Sequence, residues 1–372
     1  MTGLFLELLQ IALGNRGKLS RNPSEKEWRE LMTICQKQSV GSFVFVAIER
    51  LSNAGQKPPM SILYEWIGLS ETVKMQDTLM NQEASRLTRL FEQEGHKTAI
   101  LKGQANARLY PYPWSRQPGD IDIWVDGGLI KVTDTLKKLR LIKGEIAKYQ
   151  TEGTATLEYH HIHLPKNEKG IDIEVHYRPT SKNMNPFTNK RLQNVLEKEI
   201  NKENQLVEEG FRVPDLRFAL LMQLAHIQAH LFSEGVGMRQ IVDYYYLLHS
   251  GKCGQIVKIN ELRSMGLNHI AGAVMWVENK MLFLDKEYLI APMDEKRGRM
   301  LFQTIINGGT LGRRYYDERT QGSFRGIISK HMYRWNMVKF DASEAIWKEL
   351  NSAFFFFTSI PERIKRRKWS LE

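Results

Sequence analysis

The stretch Gly119-Asp-Ile-Asp-Ile-Trp-Val125 alternates carboxylates with apolar residues. A period of two predicts a β-strand over 120–125, with Asp120 and Asp122 on one face and the apolar side chains on the other. Strands disfavour aspartate, so two of them on one face are unusual for a merely solvated surface. Residues two apart on one strand lie about 7 Å from each other, which allows both carboxylates to bind one or two Mg²⁺ ions through oxygen.

A short apolar strand and a glycine turn precede this stretch. Thr98–Leu101 predicts a strand, and Lys102-Gly103 ends it before a short helix over Gln104–Tyr110. A glycine at this place lets backbone N–H groups approach phosphate oxygens closely, and Lys102 adds a positive charge. A Lys-Gly pair is common in loops, but its position just upstream of the aspartates makes it a candidate phosphate-binding turn.

A second acidic strand lies downstream, at Ile171–Arg178. Alternation places Asp172, Glu174 and His176 on one face. If this strand pairs beside the first, one of its carboxylates completes the metal-binding set and can help to activate an attacking hydroxyl. Glu174 is the first choice because it is one alternation from His176, and Asp172 is the second. His176 is expected to orient that carboxylate rather than to bind metal.

Two arginines are candidate phosphate ligands, because a guanidinium matches the geometry of phosphate. Arg116 lies in the loop just before the aspartates, where a solvated loop arginine is the alternative. Arg239 precedes Asp243 by four residues on a predicted helix. That spacing favours an intrahelical ion pair, unless Arg239 faces a cleft beside the strands.

The pattern of apolar, polar and turn-forming residues along the chain predicts an α+β fold in which helical regions flank a small mixed-sheet core. Residues 1–95 read as helical, 96–180 as the α/β core, and 181–372 again as helical. Ser24 is the expected N-cap of one helix. Further strands are expected at about 159–164 and 171–177, and further helices at 129–143, 217–232 and 238–249.

Composition excludes several classes of protein. The chain has 372 residues, of which 42% are hydrophobic and 26% charged, so it is not largely disordered. No window reaches the ~18 apolar residues that a membrane span needs, and the apolar start reads as a helix rather than a signal peptide. The two cysteines, Cys35 and Cys253, cannot form a disulfide framework. A cytoplasmic location is the simplest expectation.

The charge is basic, with a net +11 and a pI near 9.4. Such a surface attracts polyanions, including nucleotides, nucleic acid and acidic headgroups. Part of the surplus lies in Arg363–Lys368, after the aromatic run Phe354–Phe357. A peripheral polyanion contact is one interpretation of this tail, and a packed helix with a solvated basic end is the other.

Together these segments resemble the nucleotidyltransferase superfamily typified by DNA polymerase beta. More narrowly, the chain resembles a family of uncharacterised bacterial nucleotidyltransferases that are often associated with polysaccharide-biosynthesis loci. The resemblance covers about residues 95–180 and continues more faintly to 237–243. It implies a polymerase-beta-like nucleotidyltransferase core, triphosphate binding at Lys102-Gly103-Gln104, and Mg²⁺ (or Mn²⁺) held by Asp120, Asp122 and Glu174.

The implied activity is metal-dependent transfer of a nucleoside monophosphate from an NTP to an acceptor, with release of pyrophosphate. The acceptor is open: a small molecule, a sugar or lipid-linked intermediate, or tRNA or protein in a toxin-like relative. A non-catalytic nucleotide-binding protein of the same fold is an alternative. A metal-dependent hydrolase is another, because His161 and His163 share a strand face as zinc ligands can, although no third ligand has convincing spacing.

Overall fold

The computed structural model describes residues 1–52, 55–147, 153–233, 235–251, 253–308 and 337–365. Its N-terminal part is helical, as predicted. Ser24 caps the second helix: its hydroxyl accepts from the N–H of Glu27, and the Glu27 carboxylate accepts from the N–H of Ser24. The helices are α1 (Thr2–Leu13), α2 (Glu25–Lys37), α3 (Gly41–Ser52) and α4 (Met60–Gln93).

A five-stranded sheet follows, in the order β1-β2-β5-β4-β3. Strands β2 and β5 run parallel and the other neighbours antiparallel, so the sheet is mixed. The predicted α+β fold with a small mixed sheet is confirmed, with a short additional strand, β3. The strands are β1 (Thr98–Ile100), β2 (Ile121–Val125), β3 (Thr156–Leu157), β4 (His161–His163) and β5 (Ile173–His176).

Two helices connect the first strands. The single turn α5 (Gln104–Ala107) follows β1, and α6 (Gly128–Lys138) follows β2 and ends earlier than the predicted 143. The apolar face of the sheet packs on α4 and α6 in one buried cluster. That cluster includes Leu87, Phe91, Ile121, Ile123, Val125, Val132, Leu136, Ile173 and Val175. The alternation that buries these residues turns the acidic side chains of β2 and β5 to the opposite face.

The rest of the chain is mainly helical. A two-stranded ribbon separates α7 from α8, and the last two long helices flank the segment that the structure does not describe. The predictions of helices at 217–232 and 238–249 are confirmed. The elements are α7 (Pro186–Ile200), β6 (Gln205–Leu206), β7 (Arg212–Val213), α8 (Leu216–Ser233), α9 (Met238–His249), α10 (Cys253–Ile256), α11 (Ile259–Ser264), α12 (Asn268–Met281), α13 (Glu295–Gly308) and α14 (Ala342–Lys365).

The helices before and after the sheet share one hydrophobic core. Phe5 and Trp28 from the N-terminal helices belong to the same buried cluster as Phe218, Tyr244 and Trp276 from the C-terminal ones. The division into 1–95, 96–180 and 181–372 follows changes in sequence texture and stays a prediction. The shared core means that the C-terminal helices are fixed in place beside the sheet.

None of the helices in the described ranges combines the length and the apolarity needed to cross a bilayer. The predicted polyanion contact at Arg363–Lys368 lies outside the described side chains.

One acid is fully buried in the helical core. Glu278 on α12 is 0% exposed, and neither of its carboxylate oxygens has a hydrogen-bond partner among the residues described. Burial raises the pKa of this carboxyl well above the ordinary value. An acid whose pKa is raised by folding stabilises the fold below its unfolded pKa, and that contribution is lost as the pH rises toward the folded pKa.

We therefore expect Glu278→Gln to remove this pH dependence. The variant should gain at least about 1 kcal/mol over the wild type near pH 8 and little near pH 5, because Gln carries no charge to bury. Urea unfolding at several pH values measures the difference. The exposed Glu295→Gln, which loses only an i,i+4 pair with Arg299, should shift stability by less than about 0.5 kcal/mol at every pH. Parallel pH profiles for wild type and Glu278→Gln would contradict the assignment.

Candidate active site

The parallel pairing of β2 and β5 places two carboxylates side by side. Asp122 lies opposite Glu174, and Trp124 lies opposite His176. Residues at paired positions share a face of the sheet, so Asp122 and Glu174 project to the side away from the apolar cluster. Asp122 is 1% exposed. The local reason is the period-two alternation of both strands, which buries the isoleucines and valines on the other face.

The turn after β1 brings a cation to these carboxylates. Gly103 has φ 61° and ψ −107°, a conformation that a side-chain-bearing residue adopts only under strain. A Cβ at this position would lie 3.4 Å from the backbone oxygen of Asp120. Beside the glycine, Lys102 places Nζ 3.1 Å from Asp122 Oδ1 and 3.7 Å from Asp120 Oδ2. The predicted turn and the predicted aspartates therefore meet at one point.

The charges at this point are strongly coupled. Burial alone would lower the pKa of Lys102, but the charges of Asp120 and Asp122 raise it above the ordinary lysine value. Burial likewise favours the neutral form of Glu174, yet the hydrogen bond from His176 and the charge of Lys102 lower its pKa to about 2. Lys102 is therefore a cation and Glu174 an anion at neutral pH.

His176 supplies a second cation. Its Nε2 lies 3.0 Å from Asp122 Oδ1 and 3.4 Å from Glu174 Oε2. Burial would lower the pKa of this imidazole, but its contacts with the two carboxylates raise it to about 9. The expectation that His176 orients Glu174 agrees with this contact, and the ring also holds Asp122. Two protein cations thus neutralise the acidic groups in this structure.

The same groups fit a divalent metal. One ligand atom from each of Asp122, Glu174 and His176 lies within 4.8 Å of the other two. Asp122 Oδ2 is buried and has no hydrogen-bond partner in the described part of the chain. Buried carboxylate oxygens are the donors that Mg²⁺ prefers. Asp120 lies outside this compact set, with its Oδ2 3.7 Å from the Lys102 ammonium.

The structure separates the two candidates for the third carboxylate. Glu174 faces Asp122 directly, whereas Asp172 lies 3.1 Å from Lys166 Nζ and 3.7 Å from His163 Nε2. The ligand atoms that come together belong to Glu174 and not to Asp172. Glu174 is the better third ligand on this geometry.

A cleft beside the carboxylates is closed by helices α8 and α9. Arg239 on α9 donates from Nη1 to the carbonyls of Gln117, at 3.1 Å, and Pro118, at 3.2 Å. A Cβ on Gly119 would contact its guanidinium at 3.4 Å, and its Nε has no partner within the described ranges. Arg239 thus faces the cleft with donors to spare. The lining includes Lys102, Gly103, Gly119, Asp120, Gln223, His226 and Arg239.

Arg116 is differently engaged. Its side chain is 6% exposed, and it donates from Nε and Nη2 to the two oxygens of Asp243, at 2.7 and 2.8 Å. The hydroxyl of Tyr110 donates to the same carboxylate at 2.7 Å. Asp243 therefore bonds Arg116 and Tyr110. The i,i+4 spacing favours an ion pair with Arg239 instead, and Asp243 does not make that pair. The Arg116–Asp243 pair fastens the loop before β2 to α9.

Sequence reasoning missed some of the residues near the site. Gln223 and His226 reach the cleft from α8, which only the packing of distant segments could show. His160, which sequence reasoning also missed, and His161, which it considered only together with His163, lie against His176, with ring centroids 5.0 and 5.2 Å away. The consecutive histidines at 160 and 161 are visible in the sequence, but their proximity to His176 is not. Gln104, a predicted nucleotide-binding residue, opens α5 and its side chain is buried.

Loss of the buried Arg116–Asp243 pair should lower the free energy of unfolding much more than loss of an ion pair at the surface. We expect Asp243→Asn to lower the free energy of unfolding by about 3–5 kcal/mol, because it leaves the buried Arg116 guanidinium without its counter-charge. Glu25→Gln, which removes an exposed pair with Arg29, is the matched control and should cost less than about 1 kcal/mol. Chemical denaturation measures both, and equal losses would show that the buried pair has no special role.

Comparison with known proteins identifies a family. A model of the family described as uncharacterised nucleotidyltransferases matches residues 24–283. The match spans Lys102, Asp122, Glu174 and Arg239, the residues that surround the cleft. No curated protein and no solved structure gives a significant match. Because the family match covers well over half of the chain, the protein belongs to the family of uncharacterised nucleotidyltransferases.

Proposed function

We propose that the protein transfers a nucleoside monophosphate from a nucleoside triphosphate to an acceptor hydroxyl, with release of pyrophosphate. The observation that carries this proposal is the direct pairing of Asp122 with Glu174 next to the Lys102-Gly103 turn. A buried pair of carboxylates beside a cation-bearing glycine turn suits a metal-bound triphosphate. Membership of a nucleotidyltransferase family supports the same reaction class.

Asp122 and Glu174 are the proposed inner ligands of a divalent ion, with Asp120 as the third acidic ligand. Mg²⁺ is the preferred ion and Mn²⁺ the alternative. When bound, the metal neutralises the charge that develops on the phosphoryl oxygens as the bond between the α-phosphorus and its bridging oxygen breaks. A carboxylate with a pKa near 2 is a weak base, so Glu174 is proposed as a ligand that orients the acceptor hydroxyl.

The other residues of the cleft have proposed roles in binding the nucleotide. Lys102 and the backbone of Gly103 and Gln104 would hold the terminal phosphates. Arg239 offers guanidinium donors that its contacts with backbone carbonyls do not use, so it is the proposed second cation for the triphosphate. Arg116 is proposed to position the loop before β2, because Asp243 occupies two of its donors.

The acceptor would bind where the helical core closes the cleft, near Gln223 and His226. A sugar or a lipid-linked intermediate of surface polysaccharide assembly, made in the cytoplasm, is the proposed acceptor class. Hydroxyl acceptors of this kind need polar groups rather than an apolar pocket, and the cleft is lined by amide, imidazole and guanidinium groups.

Metal-dependent nucleotide binding tests the site. Thermal shifts with ATP, GTP, CTP and UTP, each with and without Mg²⁺, should show stabilisation of about 2.7 kcal/mol at 100 times the dissociation constant for the preferred nucleotide. Asp122→Asn should abolish the Mg²⁺-dependent part. Asp172→Asn is the matched control, because it changes an acid on the same sheet face whose partners are Lys166 and His163.

Three outcomes would contradict the proposal. Binding that is equal with and without Mg²⁺ would favour a non-catalytic nucleotide-binding protein. Loss of binding in Asp172→Asn but not in Asp122→Asn would show that the metal set is misassigned. Tight, steeply salt-dependent binding of RNA would favour a toxin-like enzyme instead.

Lys102 should influence metal and nucleotide in opposite directions. Because its ammonium lies against Asp120 and Asp122, it competes with a bare cation but attracts a triphosphate. We expect Lys102→Met to bind Mg²⁺ alone more tightly and the Mg²⁺–nucleotide complex more weakly, each measured by titration calorimetry. Lys166→Met, which removes a lysine from Asp172, should change neither. Weakening of both bindings by Lys102→Met would contradict the proposed role.

A further inference from the structure

Three imidazoles meet beside the carboxylates, and the proposed nucleotide site uses only one of them. His160 precedes β4, His161 begins it, and His176 ends β5. The antiparallel register places His161 opposite His176, so both rings lie on the acidic face. One nitrogen from each of the three rings lies within 4.8 Å of the other two.

Glu174 lies at the edge of this cluster, in contact with two of the rings. His160 Nε2 lies 3.2 Å from His161 Nδ1, which lies 3.4 Å from Glu174 Oε2, which lies 3.4 Å from His176 Nε2. At zinc–ligand distances of about 2.0–2.2 Å, the ligand atoms of a tetrahedral ion are about 3.3–3.6 Å apart. These three contacts are close to that edge length, but the set whose ligand atoms all lie within 4.8 Å of one another is His160, His161 and His176, and Glu174 borders it.

The chemistry of the donors favours a different ion from that of the aspartates. Three imidazole nitrogens suit Zn²⁺, Co²⁺ or Ni²⁺, whereas Mg²⁺ prefers oxygen alone. His161 is 7% exposed and His176 4%, so the site is shielded from bulk water.

We propose that His160, His161 and His176 form a site for one divalent transition-metal ion of the zinc class, with Glu174 at its edge, distinct from the oxygen ligands of Asp120 and Asp122. A bound ion would replace the protons that the imidazole nitrogens now share with their neighbours. Glu174 and His176 border both sets, so an ion here would lie next to the proposed nucleotide site. The inference rests on imidazole geometry and does not require that the protein bind a nucleotide.

Metal binding without nucleotide tests the site. The full chain is freed of metal with a chelator and titrated with Zn²⁺ by calorimetry in excess Mg²⁺, and with Co²⁺ by visible absorption, which is intense for tetrahedral cobalt. We expect one Zn²⁺ per chain and a tetrahedral Co²⁺ spectrum. His161→Ala should weaken Zn²⁺ binding by about 100-fold or more, since changes even outside the ligand shell cost about 10–100-fold.

His163→Ala is the matched control. It lies on the same strand, and although its register partner is Glu174, its Nε2 contacts Asp172 at 3.7 Å, so its loss should leave Zn²⁺ affinity and the Co²⁺ spectrum unchanged. His160→Gln provides a second ligand variant, and thermal melting of the metal-free proteins checks that each variant is folded. Loss of the Co²⁺ spectrum in folded His160→Gln would support the site in the same way as weaker Zn²⁺ binding in His161→Ala.

Several results would overturn the site. A cooperatively folded wild type that binds no stoichiometric Zn²⁺ is one, and unchanged binding in both His161→Ala and His160→Gln is another. Zn²⁺ binding that is lost only in Asp122→Asn would place the ion at the aspartates alone. None of these results depends on Mg²⁺–nucleotide binding, so the failure of this site and the failure of the proposed transfer are distinguishable.

Discussion

The placement of two carboxylates side by side on a buried sheet face is the constraint on which the rest of the structure depends. Asp122 and Glu174 are directly paired across β2 and β5. Two like charges about 5 Å apart repel by about 3 kcal/mol at an effective dielectric of about 20, so they need nearby cations. Lys102 and His176 provide them, and the positive φ of Gly103 is part of the turn that carries Lys102. Because side chains supply the neutralising cations, a metal ion can take their place beside the carboxylates when a triphosphate binds.

The helical core builds the second wall of the site. Helices α8 and α9 belong to the same hydrophobic cluster as the N-terminal helices, and the bidentate Arg116–Asp243 pair ties the loop before β2 to α9. Because α9 also carries Arg239, this ion pair holds Arg239 beside Gly119. The cleft therefore depends on packing between distant parts of the chain, and the sheet alone would leave it open.

The sequence alone predicted what local periodicity determines. The alternation in 120–125 and 171–177 located β2 and β5 and the shared face of Glu174 and His176, and the residue types predicted the N-cap at Ser24. Contacts between distant segments were not predictable: the spacing of Arg239 and Asp243 suggested a local pair, but Asp243 bonds Arg116. Similarly, His161 and His163 suggested a metal site on one strand face, whereas the register of β4 with β5 places His161 opposite His176 and His163 opposite Glu174, and the His163 side chain contacts Asp172.

The most direct test of the central claim is to ask which phosphoryl group is transferred. The protein, Mg²⁺ and a cell extract as the source of acceptor would be incubated with ATP, GTP, CTP or UTP labelled at the α- or the γ-phosphate. Nucleotidyl transfer predicts that α-label becomes attached to an acceptor and that γ-label is released as pyrophosphate, both only with intact Asp122. Attachment of γ-label to the acceptor, or release of inorganic phosphate with intact nucleoside diphosphate, would contradict the proposed reaction.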